Sequence, residues 1–446
     1  MDTPSPDYPS ATSAWAVTLL LTVLYVFSFI DRQILNLLVG PIQADLGLTD
    51  VEMSVLQGFA FVSTYVLLSI PIGRLVDTRN RVAIISAGVA VWSVATAACG
   101  LAKSFGGLFV ARAGVGIGEA TLTPAGWSLL ADYFPPERRT LPFSIFLIGP
   151  YIGAGIAMIF GGLAMAFFAR QGAVELPLVG AISPWQLTFV AVGAPGLLLA
   201  LVTLLVREPQ RKGVLASAPE AAGFPDIIKW VGKHHRIYMA LMLGVPCITL
   251  ILYGLQAWIP TYLLRVQGMS LVDAGTRYGV IALVSGSLGV LSGPVLGGVL
   301  QRRGYDDYQL RVAFYSLVLL IPVLLCLPLA ATSTQALACI AVASFLVPFP
   351  LALVATTIQS VTPNRMRGVL VGTYVVAVNI IGLALGPSLI AFATDYLFAD
   401  RLAVGKSLAL VASVVGVMGA ILIYRALGPL AEFTREQMLE TGGQRE

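Results

Sequence analysis

The run from Trp15 to Leu38, WAVTLLLTVLYVFSFIDRQILNLL, has two charged residues, Asp31 and Arg32, in an otherwise apolar or weakly polar stretch. At about 1.5 Å per residue a helix of this length crosses the roughly 30 Å hydrocarbon layer of a bilayer. Eleven further apolar runs follow, at 53–74, 82–102, 106–131, 141–166, 186–206, 236–263, 274–299, 311–331, 335–358, 369–393 and 404–426. They are too long and too unpatterned for the short alternating strands of a membrane barrel, so the chain reads as an all-α membrane protein with twelve spanning helices.

Composition leads the same way. The 446 residues are 57% hydrophobic and 11% charged, against roughly a quarter charged in a soluble domain. That excludes an ordinary globular enzyme. Cys99, Cys247, Cys326 and Cys339 lie in apolar runs without the CxxC spacing of a metal site, and there are two histidines, His234 and His235. No metal, cofactor or catalytic centre is expected. The net charge of +4 is dispersed over short loops and forms no basic stripe, so no nucleic acid is expected either.

The basic residues instead report topology. Of the 27 lysines and arginines, nineteen fall in loops on the side of the two termini and six on the other, while Arg32 and Arg112 sit inside runs. The positive-inside rule then puts both termini in the cytoplasm, with the cell (inner) membrane as the location. The first residues have no basic region or small-residue cleavage site, so the first run is expected to stay as a helix.

The chain divides at its longest polar stretch. We expect an N-terminal six-helix bundle at 1–206, a cytoplasmic linker at 207–235, a C-terminal six-helix bundle at 236–426 and a cytoplasmic tail at 427–446. Within the linker, Asp226 to Lys233 suits either a membrane interface or plain solvent. The halves echo each other. Gly47-Leu48-Thr49-Asp50-Val51-Glu52 matches Gly268-Met269-Ser270-Leu271-Val272-Asp273, and Pro136-Glu137-Arg138-Arg139 matches Pro363-Asn364-Arg365-Met366-Arg367. Such repeats mark a duplicated transporter with pseudo-two-fold symmetry.

Four ionisable residues lie well inside the runs: Asp31 and Arg32 in the first, Arg112 and Glu119 in the fourth. Alone at a helix centre each costs about 2.5–3.5 kcal/mol to insert, so each should meet a partner or a water-filled cavity. Counting rises of about 1.5 Å puts Glu119 near the midplane, with Asp31 roughly 6 Å and Arg112 roughly 9 Å outside it. Asp31 is then within reach of Arg112, and Glu119 has Arg32 as its nearest alternative partner. One reading makes Asp31 and Glu119 proton-responsive and gives Arg32 and Arg112 an anionic substrate group; the other is a static tie between two helices. Between Arg112 and Glu119, Gly114 and Gly118 read as a small-xxx-small packing face, not a nucleotide loop. By the repeat offset Asp31 and Arg32 map near Leu252 and Tyr253, so the second half has lost the charges and offers Tyr253 as an aromatic contact. A site polar on one wall and apolar on the other suits an amphiphile.

After the second run stands Gly73-Arg74-Leu75-Val76-Asp77-Thr78-Arg79-Asn80-Arg81. It resembles the Gly-x-Leu-x-Asp-(x)-x-Gly-Arg loop of the major facilitator superfamily, with Gly73, Leu75, Asp77 and Arg81 matching and Asn80 in place of the second Gly. Asn tolerates a left-handed backbone, so the exchange is mild. The resemblance implies a major facilitator fold of two six-helix bundles working by alternating access, and a cytoplasmic latch at Gly73, Asp77 and Arg81. More narrowly, Asp31-Arg32, Arg112 through Glu119-Ala120 and Asp132-Tyr133-Phe134 resemble the Spinster branch. That implies a monomeric, proton-coupled transporter of an anionic amphiphile such as sphingosine phosphate or a lysophospholipid, with protons and membrane lipids as its other partners. Two alternatives stay open: an organic anion:proton symporter for a hydrophilic substrate, because similar helix-four stretches occur there, and a membrane-embedded lipid enzyme.

Overall fold

Hydrocarbon supplies no partner for a peptide N–H or C=O, so an apolar run crosses it only with its backbone bonded to itself. The computed structural model, which describes residues 8–135, 138–172, 174–176, 180–211 and 223–442, meets this with helices. Among the described residues eleven helices are long and apolar enough to span a membrane.

In chain order the first unit carries α1 (Ala11–Leu37), α2 (Asp50–Thr78), α3 (Arg81–Cys99), α4 (Phe105–Glu119), α5 (Leu122–Tyr133), α6 (Thr140–Gln171) and α7 (Pro184–Thr203). The second carries α8 (Phe224–Lys233), α9 (His235–Arg265), α10 (Leu271–Arg302), α11 (Tyr308–Leu329), α12 (Ser333–Val361), α13 (Arg365–Leu397) and α14 (Arg401–Leu439). The start of α10, Leu271–Gly279, clusters with the first unit, and the boundary otherwise falls after Ala216. A short antiparallel hairpin pairs Val174–Leu176 (β1) with Gly180–Ile182 (β2).

The fourth expected crossing, 106–131, is split between α4 and α5. Pro124 has no N–H to offer the carbonyl of Ala120, so the helix is interrupted at Ala120 and Thr121, where the Thr121 hydroxyl donates to Gly118 O at 2.8 Å. Further along, α12 is interrupted by turns at 347–350, which include Pro348 and Pro350. Position 347 lies 227 residues beyond position 120, the same offset that separates Pro136 from Pro363.

Glycines set how closely the first unit packs. A Cβ on Gly118 would stand 2.5 Å from Gly88 O and 2.6 Å from Trp92 N, and one on Gly114 would stand 3.0 Å from Ala95 Cβ, so these two positions seat α4 directly on α3. Gly116 faces Phe61 on α2. On α6, Gly153 meets Val26 O and Gly161 meets Ile34, which draws α6 onto α1. Close backbone approach of this kind replaces the hydrophobic driving force that helices lack inside lipid.

In the second unit, Trp258 Nε1 donates to Pro387 O at 2.9 Å and the Tyr262 hydroxyl to Leu327 O at 2.9 Å, so α9 is tied to α13 and α11. The linker is partly helical: α8 docks Trp230, whose Nε1 donates to the Tyr238 hydroxyl at 3.1 Å. The last helix continues without interruption through 427 to Gly442. Residues 212–222 of the expected linker, and the tail beyond 442, lie outside the described residues.

The packing at Gly118 is directly testable. Gly118→Val would press two methyl groups on main-chain atoms and is expected to cost about 1–3 kcal/mol, the usual range for overpacking. Gly298→Ala meets nothing within 4 Å and should leave stability unchanged or slightly higher. Thermal unfolding of the purified protein in detergent reads both; a Gly118→Val midpoint equal to wild type would remove the close α3–α4 approach.

Candidate functional site

Arg112 and Glu119 are seven residues apart on α4, two turns along one face, and both point into the first unit toward α1. There the Arg32 guanidinium forms an ion pair with the Glu119 carboxylate. Arg112 reaches α1 by a different route: its Nη1 donates to the main-chain oxygen of Asp31 at 3.1 Å, and its Nε to Leu56 O at 3.4 Å. Leu56 lies in a π-helical turn of α2, Val55–Phe59. Wide turns of this kind recur at functional sites. The approach of Arg112 to Asp31 thus runs through a peptide carbonyl, and Arg112 holds α1, α2 and α4 together.

None of the four faces lipid. Asp31 is 2% exposed and Arg112 fully buried, and the Glu119 side chain is 1% exposed against 10% for Arg32. Arg32 is therefore the most exposed of the four. Aromatic rings surround it: its Cζ lies 4.2 Å from the centroid of Phe61, 4.6 Å from that of Phe29 and 6.0 Å from that of Tyr65. Cation–π attraction strengthens as water is removed, so these rings help to hold the guanidinium in place.

Several polar atoms at the site make no hydrogen bond among the described residues: Asp31 Oδ1, Glu119 Oε1 and Arg112 Nη2. Buried polar atoms left this way are uncommon and call for a functional or solvent explanation. The formal charges of two carboxylates and two guanidinium groups cancel, so an added anion leaves a net charge unless a proton comes with it. No group of three or more His, Cys, Asp or Glu side chains is placed to hold a metal among the described residues.

Tyr253 is half-buried on α9, in the second unit. Gly73 and Asp77 lie on the last turns of α2, where Asp77 is exposed and its main-chain oxygen accepts from Arg211 Nη1 at 2.5 Å. Arg81 is fully buried and committed within its own unit: Nη1 bonds Asp132 Oδ2 at 2.5 Å and Ser128 Oγ at 2.9 Å, while Nε bonds Glu208 Oε1 at 2.6 Å.

Glu208 also accepts the N–H groups of Arg81 at 2.8 Å and Val82 at 3.1 Å, which caps the start of α3. Two residues after Pro209, Arg211 donates to the carbonyls of Val76, Asp77 and Arg79 at the end of α2. An acid at a helix N-terminus and a base at a C-terminus each complement the helix dipole. The segment following α7 therefore clamps both sides of the α2–α3 turn. Asn80 departs from expectation: its φ of −65° and ψ of 117° are extended, not left-handed, and its side chain accepts from Ala83 N at 2.8 Å as the N-cap of α3. A glycine would lose that hydrogen bond.

Reading residues one by one found the four buried charges but not the ring cage or the clamp. Phe61 and Tyr65 stack one helical turn apart on α2, a spacing visible in the sequence, yet only the crossing of α1 and α2 brings Arg32 over them. Glu208 and Arg211 sit in a polar stretch where nothing local distinguishes them from solvated linker residues.

Comparison with known proteins agrees with this architecture. The family model described as Major Facilitator Superfamily matches residues 21–387. The chain is 29% identical over 310 residues to an MFS-type efflux pump of Mycolicibacterium smegmatis, covering 69% of this chain and 67% of that protein. It is 28% identical over 338 residues to a probable galactarate/D-glucarate transporter of Bacillus subtilis, covering 67% of this chain and 69% of that protein. Among solved structures, a bacterial homolog of the human lysosomal transporter Spinster, inward-facing and unoccupied, superposes with a TM-score of 0.74 at 28% identity, over 96% of this chain and 98% of that one. Fold and family model agree: the chain belongs to the major facilitator superfamily, whose members are membrane transporters and not enzymes, and it resembles the Spinster proteins within it.

Proposed function

We propose that this protein is a proton-coupled secondary transporter of an anionic amphiphile, working by alternating access as a monomer in the cell membrane with both termini in the cytoplasm. One observation carries the reading: Arg32, the most accessible of the four charges, is paired with Glu119 and ringed by Phe29, Phe61 and Tyr65. The substrate anion and the Glu119 carboxylate compete for one guanidinium. An anion that takes Arg32 leaves Glu119 without its counter-ion in a buried site, where the neutral acid is the cheaper form, so a proton joins as the anion binds. The same linkage run backwards means that protonating Glu119 frees Arg32 for the anion.

Arg112 stands behind this exchange. It fixes the carbonyl of Asp31 and so the direction of Arg32, the next residue. Its charge adds to the field that attracts an anion, and Asp31, buried beside it, is the second acid able to take up a proton. The aromatic rings supply contact area to an acyl or other apolar moiety next to the charged group, which favours an amphiphile such as a lysophospholipid or sphingosine phosphate. The likeness to a bacterial homolog of the lysosomal transporter Spinster supports the Spinster resemblance from which that class is taken. A second reading, a hydrophilic sugar acid, is favoured by the 28% identity with a galactarate/D-glucarate transporter. The excess of basic residues on the side of the termini supports the orientation.

Proteoliposomes with an imposed pH gradient separate these readings. Uptake of a labelled lysolipid phosphate driven by the gradient, with labelled glucarate left outside, is the expected result; gradient-driven glucarate uptake alone would transfer the protein to the second class. Glu119→Gln should keep binding but lose the pH dependence of transport, and an unchanged pH profile would take Glu119 out of the coupling. Arg32→Ala should weaken the apparent affinity for the anion by about tenfold or more, as expected on losing a hydrogen bond to a charged group worth about 1.5–3 kcal/mol. Arg112→Ala should weaken it as well, and wild-type affinity would make that residue purely structural.

A further inference from the structure

On the first unit α2, α3 and the end of α4 line a groove of about 480 Å³. Its walls are almost wholly apolar, formed by Leu75 of α2, Val91 of α3 and Ile117 of α4, each more than a third exposed. The small side chains of Ala83 and Ala87, one turn apart on α3, keep the floor open. Polarity is confined to the ends. At one end Thr121 turns its hydroxyl inward to Gly118 O; at the other stand Asn80, whose side chain caps α3, and Arg79.

Arg79 is the one charged residue in the lining, and its guanidinium makes no ion pair or side-chain hydrogen bond among the described residues. Its neighbour Arg81 is consumed by Asp132 and Glu208. Its own main chain is pinned at both ends, the N–H to Leu75 O at 2.9 Å and the carbonyl to Arg211 Nη2 at 2.6 Å. Asp77, the acid nearest in sequence, is exposed but does not line the groove. From the start of α3 at Arg81 to Val91 the helix along the groove rises about 15 Å, at about 1.5 Å per residue, with Arg79 just before it at the turn. That is close to half the roughly 30 Å hydrocarbon thickness, the depth of one leaflet. A cation at the membrane surface above a leaflet-deep apolar channel is complementary to one kind of molecule.

We propose that this groove is a binding site for an anionic phospholipid of the leaflet around the α2–α3 turn, with its phosphate on Arg79 and one acyl chain along Leu75, Ala83, Ala87, Val91 and Ile117. The chain end reaches Ile117 and Thr121, which flank the interruption after Glu119, so the lipid braces the break in the fourth crossing from outside. This site is separate from the Arg32–Glu119 pair and stands whichever anion the protein transports.

Native mass spectrometry of the full-length protein, released from bilayers of phosphatidylglycerol and phosphatidylcholine with identical acyl chains, tests it; free glycerol phosphate serves as the headgroup without a chain. Wild type is expected to retain one phosphatidylglycerol in preference to phosphatidylcholine and no glycerol phosphate. Arg79→Ala and the groove-filling Ala87→Phe should each lower that retention about tenfold, the scale of one charge-assisted contact, while Arg74→Ala, an exposed arginine outside the groove, should not. Ala83→Leu replaces Ala87→Phe should the latter elute as aggregate. Equal retention of the two lipids, retention unaffected by Arg79→Ala or by filling the groove, or glycerol phosphate held as well as the lipid would each overturn the proposal.

Discussion

A charge inside a bilayer must find another charge, and most of this structure's first unit is arranged around that requirement. Asp31, Arg32, Arg112 and Glu119 are nearly inaccessible, and each alone would weigh against insertion by a few kcal/mol. Together they are neutral. Removing one member of such a group leaves its partner buried without compensation, which is why ion pairs of this kind bind helices firmly without adding much to stability over an apolar pair. The same arithmetic makes the group responsive. A proton on a carboxylate or an anion at a guanidinium changes the balance at a place where the surroundings cannot screen it.

The group works only if α1, α2 and α4 lie close enough for their polar atoms to meet. Glycine provides that. Gly114 and Gly118 bring α4 against α3, Gly116 brings it against α2, and Gly153 and Gly161 bring α6 against α1. Rigid packing on one face coexists with an interruption on the other: Pro124 breaks the helix immediately after Glu119, and turns carrying Pro348 and Pro350 do the same in the second unit. Glu119 thus sits at the end of a helical segment, where the chain has a place to bend.

The α2–α3 turn follows the same economy of charge at the membrane surface. Arg81 is buried between Asp132 and Glu208, Glu208 caps α3 and Arg211 caps α2, so the two helix ends are satisfied by residues about 130 positions away in the chain. Arg79 is left over. Its availability follows from the satisfaction of its neighbours and could not be inferred from the loop alone, in which Arg74, Arg79 and Arg81 look alike.

The amino-acid sequence by itself determined the class of the fold, its apolar crossings and the four buried charges of the first unit, because length, hydropathy and the cost of intramembrane charge act locally and leave a mark at each position. It also pointed to the glycine face of α4, since spacing along one helix is enough to define a face. Tertiary structure decided the rest: that Arg32 and not Arg112 takes the Glu119 carboxylate, that Arg112 binds a main-chain oxygen, that Phe29, Phe61 and Tyr65 enclose the accessible cation, and that Asn80 caps a helix instead of turning left-handed. Each of these depends on the rotation and crossing of two or more helices, and a shift of one residue along a helix turns a side chain by about 100°, so no property of a single segment specifies them.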